Sequence, residues 1–228
     1  MIAVAAIACV GCDLGVYGSR YSERLPELQA RSAKAALVHA EAMPLESANG
    51  NSLQCQLRFP MLFDGESTRF TDADVAGFPS RAQPPSIPVP GLLFTFERYV
   101  QDPSGARLPI YAFVGGVPAT QEAEAVEASI LEAVSKVVPD NLTWEPVRLE
   151  SLTGEVADWR MLRISAAQPF FVAQTGAESK SQSLEGQLYF FMRPVGDNYV
   201  ILAWRFPSQL AEQINFPAAI EASVGTLK

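Results

Sequence analysis

The chain predicts an α+β fold, a mostly antiparallel sheet with a long middle helix and a C-terminal helix packed on it. Three observations carry this expectation. Residues 187–193 and 199–206 flank the turn Pro194-Val195-Gly196-Asp197-Asn198 and are apolar on both faces, with Leu188, Phe190 and Met192 opposite Val200, Leu202 and Trp204, as central strands of a covered sheet must be. Between two strand-rich regions, Ala123, Val126, Ile130, Val134 and Val137 recur at helical spacing. Residues 208–228 close the chain as a helical segment interrupted near Pro217, with Ile214, Ile220 and Val224 able to dock on the sheet.

Taken in order, residues 13–24 are small and polar, with Gly15, Gly18, Ser19 and Ser22, the composition of a tether. Residues 27–43 read as an Ala-rich helix, with Pro26 before it and Pro44 after its end. Asn49-Gly50-Asn51 is a turn signal, and the folded body is expected to begin there. In residues 53–59, Leu53, Cys55, Leu57 and Phe59 alternate with Gln54, Gln56 and Arg58, so the strand should turn Cys55 inward as a small core residue. Pro60 stops it, and residues 61–63 should resume as a strand beyond the bend. Residues 64–91 read as irregular. Five prolines from Pro79 to Pro90 favour an extended crossing segment, anchored by Phe78, Ile87 and Val89.

Next, residues 92–100 and 108–114 form a hairpin around Asp102-Pro103-Ser104-Gly105, and Gly115-Gly116 should end its second arm. Thr120 is placed to cap the middle helix, whose first turn carries Glu122 and Glu124, and Pro139-Asp140-Asn141 ends it. Strands at 143–150 and 158–172 follow around Leu152-Thr153-Gly154-Glu155, then a polar loop at 173–186. No internal repeat is present. The element order, and the closing run from Val200 through Pro207 followed by Ile220-Glu221-Ala222-Ser223-Val224, resemble the PsbP-like α/β/α sandwich proteins over residues 52–228. That resemblance implies a non-enzymatic binding or assembly role, often on an exported and sometimes membrane-attached protein.

The first residues, MIAVAAIACVGCDLG, form an uncharged apolar run that stops at Cys12, just before the first charge, Asp13. This resembles the lipobox of a bacterial lipoprotein: small Gly11 precedes the cysteine that would carry the lipid, Val10 precedes Gly11, and Cys9 stands where the pattern usually has Leu. As a helix, residues 1–11 would rise only about 16 Å against a hydrocarbon core of about 30 Å, so a spanning segment is excluded. The domain reading is therefore a signal peptide at 1–11, a tether and Ala-rich helix at 12–51, and one α+β domain at 52–228. The alternative for residues 1–11 is a buried first strand, with Ile2, Val4, Ile7 and Val10 in a core.

The chemistry is sparse. Of 228 residues 48% are hydrophobic and 18% charged, which excludes disorder, and a net charge of −8 with scattered Lys and Arg excludes a phosphate-backbone partner. The one histidine, His39, is expected to face solvent from the Ala-rich helix, which leaves no base for a Ser or Cys nucleophile. There is no phosphate-cradling Gly loop or dinucleotide fingerprint, and no zinc ligand set. The acidic residues Asp64, Glu66, Asp72 and Asp74 lack calcium-loop spacing. Trp144 and Trp159 each stand beside acids and an arginine. They suit either an aromatic binding platform at one end of the sheet or, as expected of rings this large, core packing.

The function expected is a lipid-anchored envelope protein, palmitate-bearing at Cys12 and facing the periplasm or exterior. It would bind a protein or envelope component without catalysis, metal or cofactor, touching membrane only through the lipid. Two alternatives stand beside it. One is an envelope hydrolase using two carboxylates that face a cleft. The other is a soluble cytosolic adaptor with residues 1–11 as a strand.

Overall fold

A strand that is apolar on both faces needs a neighbour at each edge and a layer over each face, and β9 (Asn198–Pro207) has all four. In the computed structural model, which describes residues 14–48, 50, 52–71, 87, 89–135, 142–173 and 180–228, every residue from Val200 to Pro207 is buried. The other elements are α1 (Leu14–Ala35), β1 (Met43–Glu46), β2 (Ser52–Leu57), β3 (Thr68–Arg69), β4 (Leu92–Gln101), β5 (Arg107–Pro118), α2 (Ala123–Ser135), β6 (Glu145–Glu150), β7 (Val156–Val172), β8 (Lys180–Val195), α3 (Leu210–Gln213) and α4 (Phe216–Val224). The fold is α+β. A seven-stranded antiparallel sheet runs in the order β3-β4-β5-β9-β8-β7-β6, and β1 and β2 form a separate two-stranded sheet.

Alternation along β9 sorts the layers. Leu202, Trp204 and Phe206 face one way, toward α4, where Phe206 meets Phe216 edge-on with ring centroids 4.8 Å apart. The β1–β2 sheet covers the same face through Phe59, which lies 4.8 Å from Phe96 of β4. Ala203 and Arg205 face the other way, with Phe113 and Tyr111 of β5 beside them. Over that second face lie α2, through buried Val126, Ile130 and Val134, and the far end of the β7–β8 hairpin. That end curls back until Ala173 and Arg107 exchange two backbone hydrogen bonds.

Several elements differ from the sequence expectation, each for a physical reason. Residues 14–24 are helical, and α1 runs through Pro26 instead of starting after it. It stops at Ala35 because Val38 is needed in the core: it is buried and bridges Pro60, and His39 donates its backbone N–H to Phe59. The body therefore begins before residue 49, and β1 precedes the turn that was expected to open it. Residues 61–63 form a turn, closed by Phe63 N–H on Pro60, and no strand. Within 64–91, the described residues include the short strand β3 on the edge of β4; residues 72–86, with Phe78 and most of the prolines, lie outside the described residues, while Ile87 and Val89 are buried.

Thr120 sits in a turn rather than at the helix cap, and the first α2 bonds are accepted by Glu122. Val137 and residues 139–141 lie outside the described residues. Lys180 to Gly186 are strand, paired with Val172 to Ala166 of β7. They look like a loop because they are polar on both sides, and they are polar because β9 ends opposite Gly186, beyond which the sheet has no cover.

Gly115 and Gly116 do not end β5. They lie inside it, opposite Ile201 and Val200 of β9, and so present opposite faces. A Cβ on Gly116 would run into the Leu53 side chain of β2, and one on Gly115 would stand 2.5 Å from the Pro90 carbonyl and 2.6 Å from Val89 Cγ1. The pair lets two segments press on the strand from its two sides. Gly115→Ala should therefore lower stability by about 1–3 kcal/mol, because a backbone carbonyl is among the atoms that must yield. Urea unfolding reads this as a lower midpoint at unchanged slope. An unchanged midpoint would mean that residues 89–91 do not rest on β5.

Candidate functional site

Polar side chains from distant parts of the chain converge at the two-stranded sheet. Outward-facing residues of β2 alternate with its core residues: Gln54 and Gln56 point away while Leu53, Cys55 and Leu57 are buried. Opposite them passes the C-terminal segment, which leaves α4 through a turn at Gly225 and Thr226. Lys228 and Gln56 exchange backbone hydrogen bonds of 2.8 and 3.1 Å. Two residues on, Arg58 N–H donates to Thr226 Oγ1 at 2.9 Å, and Ser223 Oγ donates to the Arg58 carbonyl at 2.7 Å. The backbone that carries Arg58 is thereby fixed on both sides.

Among the described residues, three clefts lie around this hairpin. The first, of about 230 Å³, is lined by Ala42, Gln56, Arg58, Ser151, Leu152, Thr153, Thr226 and Lys228. The second, of about 440 Å³, continues past Lys228 to Gln54, Ser52, Pro44 and Cys55. The third, of about 370 Å³, lies on the other side of β1 between His39, Glu41, Met43 and the rings of Phe59, Phe63 and Phe96. None of the three is lined by more than one acidic side chain, so none offers the acid pair a glycosidase needs.

The wall of the first cleft is a turn built by Ser151. Its Oγ accepts from Thr153 N–H at 3.2 Å and Glu155 N–H at 3.0 Å, and it lies 2.9 Å from Thr153 Oγ1. Gly154 follows at φ 90°, with the Arg31 guanidinium where a side chain would stand. Arg31 reaches Glu27 at 2.6 Å and Glu150 at 3.4 Å, and Lys34 lies 3.8 Å from Glu150, so α1 docks along the rim of this cleft. These pairs are partly exposed, and each contributes little.

Gln54 has φ 54°, the left-handed region rarely adopted by residues with a side chain, and its N–H bonds Ser52 Oγ at 3.1 Å. Beneath the second cleft, Arg193 extends across the Trp159 ring at 5.0 Å, and its guanidinium is held below its ordinary range by burial. Burial pushes the Cys55 thiol up to about 11, an effect the Arg193 charge partly offsets.

The residues singled out in the sequence are dispersed. Trp144 and Trp159 are 8% and 2% exposed, and they lie on opposite faces of the sheet. Trp144 packs on Phe190 and donates its Nε1–H to the Glu127 carbonyl of α2, whereas Trp159 meets Phe191 edge-on. Adjacent residues of one strand point to opposite faces, so no single surface presents both rings. Both are core residues, as packing requires.

His39 is not on the helix. It follows α1, is half-buried, and donates from Nε2 to the Phe63 carbonyl at 3.1 Å. Asp64 pairs with Arg98 at 3.3 Å, Glu66 is exposed, and Asp72 and Asp74 lie outside the described residues, as does Cys12. Among the described residues no group of three His, Cys, Asp or Glu could hold a metal ion, and no helix is long and apolar enough to cross a membrane.

Sequence alternation already placed Gln54, Gln56 and Arg58 on one side of a strand. Nothing local indicated that residues 151–153 and 226–228 would complete the cleft.

No protein family model and no curated protein matches this chain. Among solved structures it is similar to the crystal structure of LpqN involved in cell envelope biogenesis of Mycobacterium tuberculosis, at 12% sequence identity and a TM-score of 0.40, over 82% of this chain and 91% of that chain.

The Cys55 environment has a pH signature. Its folded value lies above the ordinary 9.0, so the unfolded chain releases the thiol proton first. The associated stability is complete below about pH 9 and is lost as pH rises toward about 11, on the order of 2 kcal/mol in all. Over that window the urea midpoint of the wild type should fall more steeply than that of Cys55→Ala. Parallel slopes would place the thiol in contact with water.

Proposed function

We propose that this protein is a non-catalytic binding protein of the cell envelope, exported and held to a membrane by a lipid on Cys12. The observation that carries the reading is the apolar run ending at Gly11-Cys12, directly before α1 begins at Leu14. The 22 residues of α1 span about 33 Å. Its last turns rest on the body through Arg31 and Lys34. A lipid on Cys12 would thus be joined to the body by a helix, and not by a slack tether.

The clefts at the β1–β2 sheet lie where this helix reaches the body. Their linings are hydroxyls, amides, cations and aromatic rings, groups that hold a ligand, and they lack paired acids for hydrolysis. Binding is accordingly favoured over chemistry.

Labelling with radioactive palmitate in a bacterial host tests the anchor. Wild type should incorporate label and partition with membranes, and Cys12→Ser should do neither. Absence of label from both proteins would refute lipidation.

A further inference from the structure

We propose that the cleft between β2, the turn at residues 151–155 and the C-terminal segment binds a phosphomonoester group. The lining supplies two cationic side chains, Arg58 and Lys228, the hydroxyls of Ser151 and Thr153, and the amide of Gln56; Thr226 also lines it, but its hydroxyl already donates to the Ser223 carbonyl. No acidic side chain lines the cleft, although the chain as a whole carries a net charge of −8. Among the described residues neither Arg58 nor Lys228 is in an ion pair, whereas the neighbouring Arg31 and Lys34 are neutralised by Glu27 and Glu150.

A phosphomonoester carries a charge of about −1.5 to −2 and three strong acceptor oxygens. That matches a lining of two cations and several donors better than a single carboxylate would. A guanidinium also forks onto phosphate oxygens with two parallel bonds. The volume of about 230 Å³ is on the order of eight water molecules at ~30 Å³ each. It has room for the phosphate and a small organic group, and Leu152 and Ala42 supply apolar wall for the latter.

The backbone that carries these groups is held in place: that of Arg58 by bonds to the Thr226 and Ser223 hydroxyls, that of Lys228 by the paired bonds to Gln56, and the turn by Ser151. The long Arg58 and Lys228 side chains still have to order on binding. Two acids stand at the rim: Glu150, paired with Arg31 and Lys34, and Glu155, whose Oε2 lies 3.5 Å from Thr153 Oγ1.

The inference deepens the binding half of the proposed function and is independent of the lipid on Cys12, so calorimetry and palmitate labelling can fail separately. The full chain in non-ionic detergent is titrated with glycerol 3-phosphate, inorganic phosphate and succinate, and sedimented with vesicles with and without phosphatidic acid. Saturable one-site binding of glycerol 3-phosphate or of phosphatidic acid vesicles is expected, and which of the two binds tells a free ester from a lipid headgroup.

Arg58→Gln and Lys228→Gln should each weaken binding by about tenfold or more, Glu155→Gln should strengthen it severalfold, and Lys180→Gln, on the remote end of β8, should leave it unchanged. Thermal melts of the variants confirm that the fold is kept, and Thr153→Val gives a further weakened variant that leaves the charges untouched. The proposal is overturned by any of three results: no saturable binding of either phosphate source up to about 20 mM, succinate binding as tightly as glycerol 3-phosphate, or equal loss from Arg58→Gln and Lys180→Gln.

Discussion

The burial of β9 on both faces is the constraint from which the rest of the architecture follows. A strand with every residue from Val200 to Pro207 buried cannot sit at an edge or against solvent. Its edges are taken by β5 and β8. Its faces are taken by pieces far apart in the chain: the helix beginning at Phe216 and the β1–β2 sheet on one, and α2 with the returning hairpin end on the other. On the face toward α4 aromatic pairs recur. Phe206 with Phe216, Phe191 with Trp204, and Tyr189 with Phe206 all meet near edge-on at 4.8–5.8 Å, an arrangement adding about 0.5–1.5 kcal/mol per pair beyond the area buried.

One residue of β9 violates that apolar rule, and its needs account for the curl of the sheet. Arg205 is 3% exposed, and burial draws its guanidinium down to about 10, so it remains charged at neutral pH. A buried charge is tolerated only where donors find acceptors. The far end of β7 delivers them: Gln168 Oε1 accepts from Nε at 2.8 Å, the Pro169 carbonyl accepts from Nη2 at 2.5 Å, and the Phe170 ring lies 4.5 Å from the guanidinium carbon, with Tyr111 on its flank at 5.8 Å. Gly186 makes room for the Phe170 ring to come down on the sheet. Residues 168–170 can occupy this place only if β7 bends back over the sheet, which is also what carries Ala173 to Arg107.

Elements whose instructions are local were legible in the sequence, and those that depend on a distant partner were not. The β4–β5 turn is written in Asp102, whose Oδ1 accepts from Ser104 N–H and Ala106 N–H. The helix α2 is written in the spacing of Val126, Ile130 and Val134, and the inward turn of Cys55 in strict alternation. Gly115 and Gly116 carry the local signature of a strand end. Their actual role, admitting Leu53 from one side and residues 89–90 from the other, requires knowing what lies across each face.

Pro26 and the polar residues before it disfavour a helix locally, yet α1 passes through them and rests on the body through Arg31 and Lys34. The tryptophans are buried, as rings this large were expected to be, but not at one end of the sheet. Their flanking residues are alike, but one precedes β6 and the other lies in β7, and the pleat sends them to opposite faces. The cleft was the least legible feature because its lining comes from four separate places in the chain, Ala42, Gln56 with Arg58, residues 151–153, and Thr226 with Lys228.

The polar clefts lie at the joint between the two sheets because that is where the apolar cover of the large sheet ends and its geometry is least regular. The β1–β2 pair slips register between Pro44 and Glu46, and Gln54 takes a left-handed conformation. A bulge of this kind redirects outward side chains and commonly accompanies function. The C-terminal segment then serves two ends with the same bonds. Thr226 and Lys228 fix β2 in place through Arg58 and Gln56, and they also present side chains to the first cleft. Any ligand held between Arg58 and Lys228 therefore touches both sides of that junction. By linkage it stabilises the docked segment as the segment stabilises the bound ligand.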